Sequence, residues 1–286
     1  MGNSELNFFE QILYKLTEAN METPTFLSSF HIVAFLLVLC ATVGVGIWFG
    51  LKAPKEQYLR LFVLCCWIVM VLFETYKQLS FAFSYSEELG VVWNYDWHSF
   101  PFQLCSSPLY VLPFVVFLKE GKVRDAFLAY ICTFSFFGGL VVMIYPGTVF
   151  IPEIMINIQT MVHHGLQVLV GIALIIYYRK KFTWSFLIGA LIVFAGLLAI
   201  AQLLNWIVPN FTEDKFTMFS LSWIHGCELP ILSTIYEKAH YLVFFLAYAV
   251  GFVMVALIIF SIIKLALFLS KKCKAAIAKK VQDNNA

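Results

Sequence analysis

Charge is in short supply in this chain. Asp, Glu, Lys and Arg make up 13% of its 286 residues, about half the share of a soluble domain, which excludes water as its main solvent. A continuous basic surface is missing as well. The formal net charge is only +2 and the basic residues sit beside apolar runs, so nucleic acid is not an expected partner. No two cysteines have CxxC spacing, and five of the seven (Cys40, Cys65, Cys66, Cys105 and Cys132) lie inside apolar runs. Neither a disulfide framework nor a zinc ribbon fits that pattern. Residues 1–28 lack a basic start followed by an apolar run, so no cleavable signal is expected. Met1-Gly2-Asn3-Ser4-Glu5-Leu6 puts Leu6 where a myristoylation signal has Ser or Thr. No internal repeat is evident, which weighs against an inverted-repeat transporter.

What the chain has is apolar length. Hydrophobic residues make up 61% of it, in runs near 29–51, 59–83, 100–118, 124–145, 156–178, 183–208 and 240–268, each long enough to cross a bilayer as a helix. Fifteen of the nineteen Lys and Arg residues fall at alternate run ends or in the tail: Lys52, Lys55 and Arg60; Lys119, Lys122 and Arg124; Arg179 to Lys181; and Lys264 onward. The other connections carry Lys15, Lys215 and Lys238 among Glu87, Glu88, Asp96, Glu153, Glu213 and Asp214. Basic residues mark the cytoplasmic side. The expectation is an all-α polytopic membrane protein with seven transmembrane helices, its N-terminus outside and its C-terminus cytoplasmic. Residues 1–28 form an extracytoplasmic segment with an interfacial helix, on which Leu6, Phe9, Leu13 and Leu16 recur at helical spacing beside Glu5, Glu10 and Lys15. Residues 29–270 form the membrane domain, and 271–286 a basic tail resting on anionic headgroups. Residues 209–239, with Trp223, Cys227 and Pro230, suit a lid or re-entrant piece.

Polar residues inside a bilayer are costly and tend to mark function. Here they share the outer half of the runs. The second run carries Glu74, Lys77 and Gln78; the third Gln103, Cys105, Ser106 and Ser107; the fifth Asn157, Thr160, His163, His164 and Gln167; the sixth Gln202 and Asn205. At about 1.5 Å per residue, Cys105 lies about 8 Å and His164 about 12 Å below the outer ends, so the two meet if those runs are neighbours. An outward-facing polar cavity follows. Ser99 and Pro101 suggest a helix start, which places Cys105 near a positive dipole end. Pro108 and Pro113 withdraw hydrogen bonds from the Leu104 and Leu109 carbonyls, suggesting a kink and open backbone dipoles below the thiol.

That arrangement suits a nucleophilic cysteine with a histidine base. Gly165 lets a neighbouring helix or a substrate approach His164, so His164 is preferred to His163 as the base. Glu74 and Lys77 read either as a neutralising ion pair or as a clamp for a lipid headgroup. Gln103, Ser106 or backbone amides are candidates to hold an oxyanion, and Thr160, His163 and Asn205 complete the candidate substrate-binding set. His98, His163, His164, His225 and His240 do not form a ligand pattern, and no metal or cofactor is expected.

The segments FPFQLCSSPLYVLPF (Phe100 to Phe114), GGLVVMIYPG (Gly138 to Gly147) and VHHGL (Val162 to Leu166) resemble the YwaF-like integral membrane family and its eukaryotic relatives, the transmembrane protein 164 acyltransferases. Gln103 stands where many bacterial members have His. The resemblance implies an acyl-transfer site on Cys105 and His164, with phospholipid and lysophospholipid as partners and an ether-linked phospholipid as a product. Two other classes stay open: a lipid or small-molecule transporter or binding protein without catalysis, and a fatty acyl ester hydrolase. A seven-span receptor is disfavoured because the third run ends in FLKEGK and the seventh has no NPxxY. A retinal protein is disfavoured because Lys264 is near the end of its run. No oligomeric state follows from the sequence. From the charge pattern, an epitope placed before residue 29 is expected to bind antibody on intact cells, and one after residue 286 only after permeabilisation; the reverse staining would overturn the orientation.

Overall fold

The computed structural model describes residues 7–86, 88, 90–147 and 149–284; Glu5, Leu6 and Glu87 lie outside them. The chain begins with helix α1 (Phe8–Thr17), whose start is closed by a capping box: Asn7 Oδ1 accepts from the Glu10 N–H and Glu10 Oε2 from the Asn7 N–H. Phe8 and Phe9 are exposed on it.

Six helices among the described residues are long and apolar enough to cross a membrane. They are α2 (Ser29–Lys52), α3 (Glu56–Ser80), the continuous pair α5 (Lys122–Tyr130) and α6 (Phe136–Ile144) joined by a π turn (Ile131–Ser135), α7 (Ile154–Tyr177), α8 (Trp184–Ile207) and α10 (Tyr241–Asn284). The short hairpin of β1 (Phe83–Ser86) and β2 (Gly90–Trp93) follows α3, with Phe83 paired to Trp93. Helix α10 runs on through the described part of the basic tail.

The third apolar run differs from a simple spanning helix. Only α4 (Pro108–Phe117) is α-helical, and a 3-10 turn (Leu104–Ser106) precedes it. Proline explains the break, because Pro108 has no N–H and fits only at the start of a helix. Cys105 therefore lies before the helix, not in its first turns. The run is nonetheless tied to α3 along its length: Gln78 donates to the Ser99 carbonyl (2.8 Å), Trp67 to Leu109 (2.8 Å) and Arg60 to Leu118 (3.0 Å). The Leu109 carbonyl that Pro113 deprives of a helical donor is thus capped by an indole. The Leu104 carbonyl accepts from the Ser107 hydroxyl (2.6 Å). The open dipoles anticipated at these two positions are closed.

Helix α7 is the centre of the bundle, with 72% of its span buried against 11% for α2. Two glycines allow its neighbours to approach. A Cβ at Gly165 would overlap the Val38 side chain of α2, and one at Gly139 of α6 would stand 2.7 Å from the His164 carbonyl. At the other end of the bundle Arg124 is 1% exposed. It donates to the Val115 carbonyl (3.1 Å), pairs with Glu56 (2.7 Å) and reaches the Tyr178 hydroxyl, joining α3, α4, α5 and α7 in one clasp.

The connection from 208 to 240 folds back into the protein. Its continuous buried part is Phe216–Ser222, within the 209–239 connection expected to form a lid or re-entrant piece; α9 (Leu232–Lys238) follows. Phe219 (φ 57°) and Ser220 (φ 52°) are left-handed there, a conformation that a bulky residue keeps only when its surroundings impose it.

Gly139→Val is expected to lower the unfolding midpoint in detergent, at a cost of about 1–3 kcal/mol. Gly138→Ala, with nothing within 4 Å of the added methyl, is expected to leave it unchanged; equal effects would refute the close approach of α6 to α7.

Candidate functional site

The site is assembled where the turn bearing Cys105 lies against α7. In this turn the Cys105 carbonyl has no donor at the third residue on, because that residue is Pro108. Helix α7 supplies donors instead. Gln167 Nε2 donates to it at 2.8 Å and His163 Nε2 at 3.2 Å. These two residues are four apart, so one face of α7 presents both. Gln167 Oε1 in turn accepts from the Ser135 hydroxyl at 3.5 Å, on the π turn. Ser107 continues the contact by sharing a hydrogen bond with the buried Tyr130 hydroxyl (2.7 Å). A π turn facing such a point is a frequent mark of a functional site.

The hydrogen bonds assign the protons on both imidazoles. A carbonyl oxygen only accepts, so His163 carries its proton on Nε2, while His164, bonded to the Thr160 carbonyl at 2.6 Å, carries its proton on Nδ1. That leaves His163 Nδ1 and His164 Nε2 as bare acceptors. Both are buried and have no hydrogen-bond partner among the described residues, an arrangement proteins rarely leave without purpose. Thr160 contributes its carbonyl to this arrangement. The hydrogen bonds to the Cys105 turn come from His163 and Gln167; His164 is the next residue round the helix, its ring centroid 5.5 Å from that of His163.

The remaining candidates divide into two groups. Glu74 and Lys77 form the ion pair expected from their spacing (2.8 Å), and Gln78 donates to the same Glu74 oxygen (2.8 Å). Tyr95 donates to Gln78 Oε1 (2.6 Å). Ser106 is buried beside Cys105. Gln103 and Asn205, by contrast, spend both ends of their carboxamides on the Phe216–Ser222 strap. Gln103 donates to the Thr217 carbonyl (2.9 Å) and accepts from the Phe219 N–H (3.0 Å). Asn205 donates to the Met218 carbonyl (3.0 Å) and accepts from its N–H (2.7 Å). In this conformation they are clamps, not free donors.

A cavity of about 670 Å³ opens beside α1 and the β1–β2 hairpin, lined among others by Tyr14, Glu18, Tyr85, Asn94, Asp96 and Glu153. It includes none of the candidate residues. Burial holds the Glu153 carboxyl above its usual range, although a hydrogen bond from the Ser80 hydroxyl (3.0 Å) works the other way. Among the described residues no group of three or more His, Cys, Asp and Glu is placed to hold a metal.

A family model described as the TMEM164 family matches residues 26–264, from just before α2 into α10. The chain belongs to the TMEM164 family. Neither a curated protein nor a solved structure matches it. With six helices able to span a bilayer, this TMEM164-family chain is an integral, multi-pass membrane protein. The residues that sequence reasoning underrated are Gln167, Ser135 and Tyr130. The available signal was Pro108 itself, which leaves the Cys105 carbonyl in need of a donor from another helix.

Gln103→Ala leaves a carbonyl and an N–H of the strap unpaired, at a cost of about 1–3 kcal/mol. Faster tryptic cleavage after Lys215 is the expected readout, and an unchanged rate would show that Gln103 does not hold the strap.

Proposed function

We propose that this protein is a membrane-embedded acyltransferase that moves a fatty acyl group between phospholipids, of the ether-linked type, through a thioester on Cys105. The observation that carries this reading is the seating of the Cys105 turn on α7 through His163 and Gln167, on the same turn of helix as His164, whose Nε2 is buried and has no hydrogen-bond partner among the described residues. A buried ring nitrogen in that state is ready to take a proton.

In the proposed reaction the Cys105 sulfur attacks the ester carbonyl of a donor phospholipid while His164 Nε2 takes the thiol proton. The C–S bond forms, the ester C–O bond breaks, and the leaving lysophospholipid oxygen receives the proton from His164. A lysophospholipid hydroxyl then attacks the thioester, giving its proton to His164; the C–S bond breaks and the thiol is restored. Ser106 and backbone N–H groups of the 3-10 turn are the proposed oxyanion donors, since Gln103 is occupied by the strap. Glu74 and Lys77 are proposed to meet the headgroup, with Thr160 and His163 lining the approach; Asn205, like Gln103, is occupied by the strap. No cofactor takes part.

The proposed topology has seven crossings, with the N-terminus outside and the C-terminus cytoplasmic. The third crossing is the Ser99–Leu118 segment. Its ties to Gln78, Trp67 and Arg60 span eighteen residues of α3, about 27 Å at 1.5 Å per residue, close to the thickness of a bilayer core. A second reading, lipid binding or transport without catalysis, draws support from the cavity beside α1 that lies apart from Cys105.

Reconstituted protein given an isotope-labelled phospholipid and a lyso ether phospholipid is expected to carry an acyl adduct removable by hydroxylamine, seen by intact-protein mass spectrometry. Adduct and label transfer should both be lost in Cys105→Ala. Transfer that survives in Cys105→Ala would remove the thioester mechanism. Release of free fatty acid in place of transfer would favour a hydrolase, and the absence of both in wild type would favour binding or transport.

A further inference from the structure

We infer that Gln167 is a positioning residue for Cys105, its carboxamide holding the cysteine carbonyl so that the thiol keeps a fixed register with His164. This rests on the thioester reading and goes beyond it by naming what aims the nucleophile.

The physical need is set by the sequence Cys105-Ser106-Ser107-Pro108. Ser107 has right-handed helical geometry (φ −57°, ψ −29°), so the backbone at 108 is placed to donate back to Cys105, as the Ser106 and Ser107 N–H groups donate to Gln103 and Leu104 (3.0 and 3.3 Å). Proline removes that donor. A carbonyl in a membrane interior cannot turn to water, and an unmade hydrogen bond costs about 1–3 kcal/mol. Gln167 makes the shorter of the two bonds that satisfy it.

Gln167 is itself well fixed. Its residue is 1% exposed, the Ser135 hydroxyl on the π turn faces its oxygen at 3.5 Å, its nitrogen is the end that meets the Cys105 carbonyl because a carbonyl only accepts, and Gly139 leaves room for its Cβ, which a methyl at 139 would meet at 2.8 Å. With oxygen and nitrogen thus assigned, the Nε2 end points to Cys105. Because Gln167 and His164 are less than one turn apart on α7, moving this helix moves nucleophile support and base together.

The test compares wild type, Gln167→Met, Pro108→Ala and the double variant in the transfer assay, with infrared spectra of protein carrying 13C at cysteine carbonyls. A difference spectrum against Cys105→Ser isolates the carbonyl of position 105. Gln167→Met is expected to lower kcat by about tenfold to a hundredfold with little change in KM, and to move the Cys105 amide band to higher frequency. Pro108→Ala gives the carbonyl a donor within its own turn, so the double variant is expected to recover part of the loss, with the band moving back. Unchanged kcat, an unmoved band, or strictly additive losses in the double variant would each overturn the proposal. If wild type forms no hydroxylamine-sensitive adduct, the acyl-transfer reading fails by itself, while the band shift and its reversal still decide whether Gln167 holds Cys105. Should Gln167→Met not fold alone, folding restored by Pro108→Ala supports the clamp and continued failure counts against it.

Discussion

A backbone N–H or C=O that leaves water must find a partner inside the protein, and two stretches of this chain meet that requirement without a helix. One is the turn from Ser99 to Ser107 and the other is the strap from Phe216 to Ser222. Both are fixed by side chains reaching from helices: Gln78, Gln167 and His163 on the first, Asn205 and Tyr248 on the second, and Gln103 between the two. The polar layer in the half of the bundle opposite the Arg124 clasp is largely this satisfaction of irregular backbone. It explains why so many carboxamides occur at one depth. A carboxamide donates and accepts at once, so one side chain can close both groups of a passing peptide.

The same constraint gives the proposed site its rigidity. Helix α7 is flanked by α2 through Gly165 and by α6 through Gly139, and the Arg124 clasp fixes the opposite end of α3, α4 and α5 against it. A nucleophile on an irregular turn is less well defined than one on a helix, and reactive geometry tolerates little error. Seating the turn on the most buried helix removes that weakness. The family motifs thereby acquire separate physical roles: CSSP creates the unsatisfied carbonyl, HHGL with the following Gln answers it, and the second glycine of GGL lets the answering helix approach.

Much of this was legible in the residues. The apolar runs marked an integral, multi-pass membrane protein, and the Glu74–Lys77 pair and the close approach at Gly165 were readable from helical spacing alone. The third run was not, because mean hydropathy is blind to the missing N–H groups of Pro101, Pro108 and Pro113. Nor was the use of Gln103 and Asn205, since a carboxamide looks the same in sequence whether it faces a substrate or a peptide 114 residues away.

The sequence by itself determined the solvent, the apolar stretches that carry a multi-pass membrane protein and the set of polar residues to be accounted for, because hydrophobic length acts locally and additively. Tertiary structure alone decided which of those residues touch Cys105 and which touch the strap. Hydrogen bonds extend over about 3 Å, and packing, not spacing along the chain, brings Gln167 rather than Gln103 to the cysteine carbonyl.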